Sequence, residues 1–192
     1  MPRTASAAPP RSRDRMLETA IDLMRGFGLA GAGINDIVRE SGAPKGSVYH
    51  FFPGGKAQIA EEALAVYAER VRDFLAAALA RGDSPPEKVR ALFDAFARRV
   101  REGGFRRSCA VGAVSLDLGS ADLDGLQPQV AAIFSTWTDT IAAAFDLGSP
   151  ARTRAFAGLL LTTIEGAYVR ARAERSARPF TEAGDWLAGL AG

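Results

Sequence analysis

From Ser12 onward, apolar residues recur at steps of three and four, and no window of the 192-residue chain alternates apolar with polar residues as a half-buried strand would. That pattern confines the chain to an all-α fold. Met16, Leu17, Ala20, Ile21, Met24 and Phe27 form the first stripe, with Asp14, Glu18, Asp22 and Arg25 between them and Gly26 and Gly28 to stop the helix. Ile34, Ile37 and Val38 predict a short second helix closed by Ser41-Gly42. Residues 45–50 predict a third, with Pro44 near its first turn, where a missing N–H costs little. After Pro53-Gly54-Gly55 the composition turns to Ala, Leu and Arg. Helices are expected there over residues 56–80, from a Ser84-Pro85-Pro86-Glu87 capping-box start to Gly103, and over 126–147, 150–175 and 181–190, with a short apolar segment at 109–118 and a turn at 119–125.

Composition removes several classes of function. The charged fraction of 24% and apolar fraction of 47% are those of a folded globular chain. No apolar run approaches the roughly 20 residues of a membrane span, and residues 1–10 lack the apolar stretch of a signal peptide, so a cytoplasmic protein is expected. One Cys and one His can build neither an internal disulfide nor a zinc site of the usual kind, and no metal or cofactor is expected. Catalysis is poorly supported too. Ser115 lacks a nucleophile elbow, Gly54-Gly55-Lys56 lacks the earlier glycine of a phosphate loop, and Asp122-Leu123-Asp124-Gly125 lacks the closing Glu of a calcium loop.

The net charge of +2 is small for a partner of nucleic acid, but it is unevenly distributed. Residues 1–56 hold eight basic and five acidic side chains, a net of +3, and the remainder holds 16 basic and 17 acidic, a net of −1. Within the basic part, residues 34–52 have the anatomy of a helix-turn-helix. Ile34, Ile37 and Val38 can lock the first short helix against its neighbour, Gly42 can adopt a positive φ at the turn, and Val48 can pack the second helix. Lys45, Gly46, Ser47, Tyr49 and His50 are left exposed together, suited to phosphate and base edges. Arg11, Arg13 and Arg15 read equally as an arm touching phosphate or as solvated charge, and residues 1–10 read as a flexible basic tail.

The run from Ser41 through Gly42-Ala43-Pro44-Lys45-Gly46-Ser47-Val48-Tyr49-His50-Phe51-Phe52-Pro53-Gly54-Gly55 to Lys56 resembles the DNA-binding signature of the TetR family of transcriptional regulators. The Phe-Pro-Gly-Gly-Lys spelling, with residues 108–114 and 164–172, resembles the LmrA/YxaF-like subgroup. The resemblance implies a helix-turn-helix unit over residues 11–56 and a ligand-binding and dimerisation bundle over residues 57–192. It implies a homodimer whose third helices enter successive major grooves of a near-palindromic double-stranded operator. Asn35, Lys45, Gly46, Ser47, Tyr49 and His50 fall at DNA-contacting positions, and Lys56 at the start of the fourth helix faces phosphate. Two positions depart from the pattern: Gly33 stands where Ser or Thr commonly caps the second helix, a cap worth about 1 kcal/mol, and Pro44 stands where Ser or Thr precedes the Lys-Gly pair.

For the body, Phe93, Phe96, Phe134, Trp137 and Tyr168 can line a cavity for a lipophilic effector, and core packing accounts for aromatics at helical spacing equally well. Cys109 joins this set either as a small buried residue or as an oxidant-sensitive thiol. Residues 126–145 and 151–175, with Leu159, Leu160, Ile164, Ala167, Ala171 and the small Gly158 and Gly166, can pair with a second copy as a four-helix bundle. The expected function is a ligand-responsive repressor released by a small lipophilic effector. The alternative is a dimeric DNA-binding regulator controlled by a protein partner.

Overall fold

Helix α1 (Ser12–Phe27) buries the expected stripe: Met16, Leu17, Ala20, Ile21 and Met24, together with Leu23, face inward. Each large side chain removed from water there contributes roughly 1.5–3 kcal/mol. The computed structural model describes residues 12–44, 46–119 and 124–192, with the backbone alone at Asp124. The predicted tail, Arg11, Lys45 and most of the Asp122-Leu123-Asp124-Gly125 turn therefore lie outside the described residues.

α1 lies across α2 (Ile34–Ser41), the N-terminal half of α4 (Gly55–Leu79) and α6 (Ala110–Ser115). Glu18 accepts from the Arg70 guanidinium, with Nη1 to Oε2 at 2.7 Å, and Arg13 pairs with Glu62, so α1 and α4 are bound by charge at both ends of their contact. Between them α3 (Ser47–Phe51) is pinned by the fully buried Val48 and by Phe52, which follows it.

The rest is a bundle of α4, α5 (Pro85–Glu102), α7 (Gln127–Ala142), α8 (Pro150–Glu174) and α9 (Arg178–Gly189), with a short 3-10 turn at Asp124–Leu126. α5 starts as its sequence predicts: the Glu87 carboxylate accepts from the backbone N–H groups of Asp83 and Ser84, closing the capping box. α9 packs along α5 because Gly184 has no side chain; a Cβ there would lie 2.7 Å from the Cβ of Phe93. Phe96 stacks on Phe180 at 6.0 Å and meets Tyr168 edge-on at 5.8 Å, filling the space among α5, α8 and α9.

Among the described residues all regular structure is helical, with differences at the ends. α3 starts at Ser47, two residues later than expected, because Pro44 closes a turn in which the Ser47 N–H donates to its carbonyl at 2.9 Å. α7 stops at Ala142 instead of reaching Leu147. Just beyond it the N–H groups of Ala144 and Phe145 donate to the third carbonyl back, Lys88 donates to the Ala144 carbonyl at 2.9 Å, and Phe145 turns inward against Phe156. α9 begins three residues earlier than expected, with Pro179 in its first turn.

Candidate functional site

The turn between α2 and α3 is built as the sequence requires. Gly42 sits at φ +64°, a left-handed conformation that ends α2, and the Ser41 hydroxyl accepts from the Ala43 N–H while donating to the Val38 carbonyl. Ile37 and Val38 are buried against α1, so α2 has one apolar face and one free face. Gly33 caps α2 in an extended conformation with no side-chain bond, as the missing Ser or Thr predicts.

On the free faces stand Asn35 in the first turn of α2 and Tyr49 and His50 on α3, all exposed; Tyr49 keeps 65% of its surface in water. The His50 ring rests edge-on against Phe51 at 5.1 Å. Gly46 is exposed at the cap of α3, and a Cβ built there meets nothing within 4 Å, so its backbone is open to a partner. Ser47 differs from expectation: its hydroxyl donates to the Pro44 carbonyl at 2.6 Å and shapes the turn. Gly46 lies before the helix, and five residues align few peptide dipoles, so the predicted attraction of phosphate to the start of α3 is weaker than for a full helix. Lys56 lies in the first turn of α4, partly buried. Arg39 is engaged by Asp36 at 2.6 Å and Glu40 at 3.3 Å on the exposed side of α2.

A second feature lies where α1 meets the bundle. A cavity of about 740 Å³ opens among the C-terminal end of α1, α6, α7 and α8. Cys109, Phe134 and Tyr168 line it as expected. Phe93, Phe96 and Trp137 do not: Phe93 packs on α9, Phe96 on Phe180, and Trp137 spends its indole N–H on the Ala68 carbonyl at 3.0 Å, between Tyr67 and Phe134. In their place the cavity has charged and small residues, among them Arg25, Gly112, Glu165 and Arg172.

Glu165 sits against Gly112, where a Cβ would lie 2.3 Å from its Oε2; the glycine is the notch that admits the carboxyl. Burial pushes this carboxyl up to about 7, partly opposed by a hydrogen bond with the Cys109 thiol. Burial and the neighbouring Glu165 in turn push the Cys109 thiol well above its ordinary value, so thiolate is scarce at neutral pH. Helical spacing carried a signal for these residues: Glu165, Tyr168 and Arg172 are three and four apart on α8 and share one face.

Comparison with known proteins decides the lineage. Residues 16–63 match the family model described as bacterial regulatory proteins of the tetR family, and residues 85–185 match that for the C-terminal domain of LmrA/YxaF-like transcriptional regulators. The chain belongs to the TetR family of transcriptional regulators. An HTH-type transcriptional regulator of Mycobacterium tuberculosis is 35% identical to it over 173 residues, 87% of each chain. The HTH-type transcriptional regulator LmrA of Bacillus subtilis is 42% identical over 81 residues, 42% of this chain and 43% of that one. A TetR regulatory protein from Rhodobacter sphaeroides shares the fold, with a TM-score of 0.82 at 21% identity over 93% of this chain and 97% of its own.

This TetR-family protein is therefore a DNA-binding transcriptional regulator, in a family whose members here are regulators and not enzymes. The first matched segment runs from α1 into α4 and includes the α2–α3 turn; the second spans the helices that enclose most of the cavity. Among the described residues no helix is long and apolar enough to cross a membrane.

Proposed function

We propose that the protein is a ligand-responsive repressor that binds a near-palindromic operator as a homodimer and is released by a small lipophilic effector. Residues 11–56 form its DNA-binding unit and residues 57–192 its ligand-binding and dimerisation unit. Asn35, Gly46, Tyr49 and His50 meet the major groove, with Lys45, Ser47 and Lys56 serving the phosphates or the turn that presents them. The protein acts in the cytoplasm, where its operator lies.

The observation that carries this reading is the position of the cavity: its wall includes residues 25–28, the last turn of the helix on which α2 packs. An occupant there touches the joint between the two units. Its effect on DNA equals its differential affinity for the released and bound arrangements, so a compound that binds both equally releases nothing. A fold relative, the TetR-family regulator CifR, with a TM-score of 0.81 at 19% identity over 96% of this chain and all of its own, has been seen on a 26-base-pair operator.

For the dimer, Leu160, Ile164, Ala167 and Ala171 are consumed by packing within one copy. The free face of α8 instead carries Ala155, Leu159 and Thr162, with Gly158 and Gly166, at which a Cβ would meet none of the described residues within 4 Å. Their smallness is not required by the monomer and suits close approach of a second copy.

The test is to sequence the genomic DNA retained by the purified protein, then to titrate the enriched fragment with a panel of lipophilic compounds. The reading requires an enriched near-palindrome and a compound that releases it. Enrichment without release by any compound favours control by a protein partner, and no enrichment overturns the DNA-binding proposal.

A further inference from the structure

The cavity has two unlike ends. Phe134, Leu116 and Val169 supply apolar surface, and Leu116 and Val169 are exposed, at 85% and 67% of their surface. At the end formed by α1 stand two guanidinium groups, Arg25 and Arg172, and neither is paired with a carboxylate. Each is held by a backbone carbonyl instead: Arg25 Nε donates to the Ser108 carbonyl at 3.1 Å, and Arg172 Nη2 to the Gly26 carbonyl at 2.9 Å. Among the described residues, neither carboxylate lining the cavity forms an ion pair with them. Asp117 accepts from the N–H groups of Leu29 and Ala30 at 2.6 and 3.0 Å, turned toward the α1–α2 link, and Glu165 lies about two helical turns from Arg172, partnered by the Cys109 thiol.

We propose that the cavity takes an amphipathic organic anion, its carboxylate-like headgroup on Arg25 and Arg172 and its apolar body against Phe134, Leu116 and Val169. The volume falls within the roughly 300–1,000 Å³ of small-molecule sites. A guanidinium gives a carboxylate two parallel charge-assisted bonds. A headgroup bonded in this way competes with the carbonyls that both side chains now hold.

Those carbonyls are among the groups that tie the last turn of α1 to the bundle. The Ser108 N–H and hydroxyl return to the Arg25 carbonyl at 2.9 and 3.1 Å, and Arg107 pairs with Asp22 at 3.1 Å, so residues 107–108, Arg172 and Asp117 together clamp the last turn of α1 and the start of the link to α2. Recruiting Arg25 and Arg172 to an anion removes two of these ties and frees the segment that orients α2 and α3. This consequence for DNA rests on the ligand-responsive reading above; the binding preference does not.

The experiment uses the full chain with three probes of equal tail length below their micellar concentrations: dodecanoate, dodecanol and dodecyltrimethylammonium. Calorimetry is expected to show dodecanoate binding about tenfold tighter than either of the others. Arg172→Gln should bring dodecanoate down to the level of dodecanol without changing dodecanol itself, and Arg172→Lys should restore part of the difference. Arg25→Gln, a second variant on another helix, should act in the same direction. Amide exchange at Ser108 should quicken with dodecanoate and not with dodecanol. Equal or tighter binding of the cation, binding of none of the probes, or an unchanged preference in a folded Arg172→Gln protein overturns the proposal. If dodecanoate binds through Arg172 yet leaves the operator fragment bound, the site stands and the ligand-responsive reading fails.

Discussion

Glu165 shows how one side chain can act against stability and still be held in place. Its carboxyl lies against Gly112 in the place a Cβ would take, and burial raises it from 4.5 to about 7. Between those values the folded protein holds a proton that the unfolded chain has released, so stability falls as pH rises through that window and reaches its floor above about pH 7. Glu165→Gln keeps the shape and removes the charge. It is expected to abolish this slope and to raise stability at pH 8 by about 1–3 kcal/mol, read from urea titrations at pH 5 and pH 8. An unchanged pH profile would show that the carboxyl is better solvated than its position against Gly112 indicates. At this scale the sequence was only half legible. Cys109, Phe134 and Tyr168 are legible as candidates for a cavity wall and Arg25, Glu165 and Arg172 are not, because periodicity tells which face a residue is on and not what stands opposite. Phe93, Phe96 and Trp137 show the converse: each is on an inward face, and packing against α9, Phe180 and the Ala68 carbonyl consumes it.

Whole elements were the most legible features, because each has its own stop and start signals. The box at the start of α5 was written in Ser84 and Glu87, and the end of α2 in Gly42. Ser84→Ala removes one half of that box and is expected to cost about 1 kcal/mol in chemical denaturation, with no change in DNA affinity. Helix ends set by tertiary contact were not legible. α7 stops early because Lys88 reaches the Ala144 carbonyl and Phe145 turns onto Phe156, neither of which local sequence can announce. α3, on which the proposed DNA contact rests, is held by Val48 and Phe52 while Tyr49 and His50 face outward. Tyr49→Ala should leave the melting temperature within about 1 °C, since exposed substitutions rarely exceed 0.5 kcal/mol. It should weaken binding to the selected DNA by about 1–3 kcal/mol, measured by fluorescence anisotropy.

The whole molecule is organised by a charge division that the net of +2 conceals. The first 56 residues carry +3 and the remainder −1, so two copies of that N-terminal part, which includes α2 and α3, carry +6 together. Joining that face to the bundle are α4 and the clamp at the end of α1, which brings Asp22, Arg25, Gly26 and Leu29 of one unit against Arg107, Ser108, Asp117 and Arg172 of the other. The clamp was out of reach of sequence analysis because its members lie about 80 to 146 positions apart in sequence. The central claim is that this basic face grips the DNA backbone as a dimer, and the most direct test is the salt dependence of affinity for the DNA fragment the protein itself selects. With about four phosphates neutralised per subunit, log affinity should fall against log salt with a slope near −7, at roughly −0.9 per phosphate. A slope near zero between 50 and 200 mM salt would contradict it.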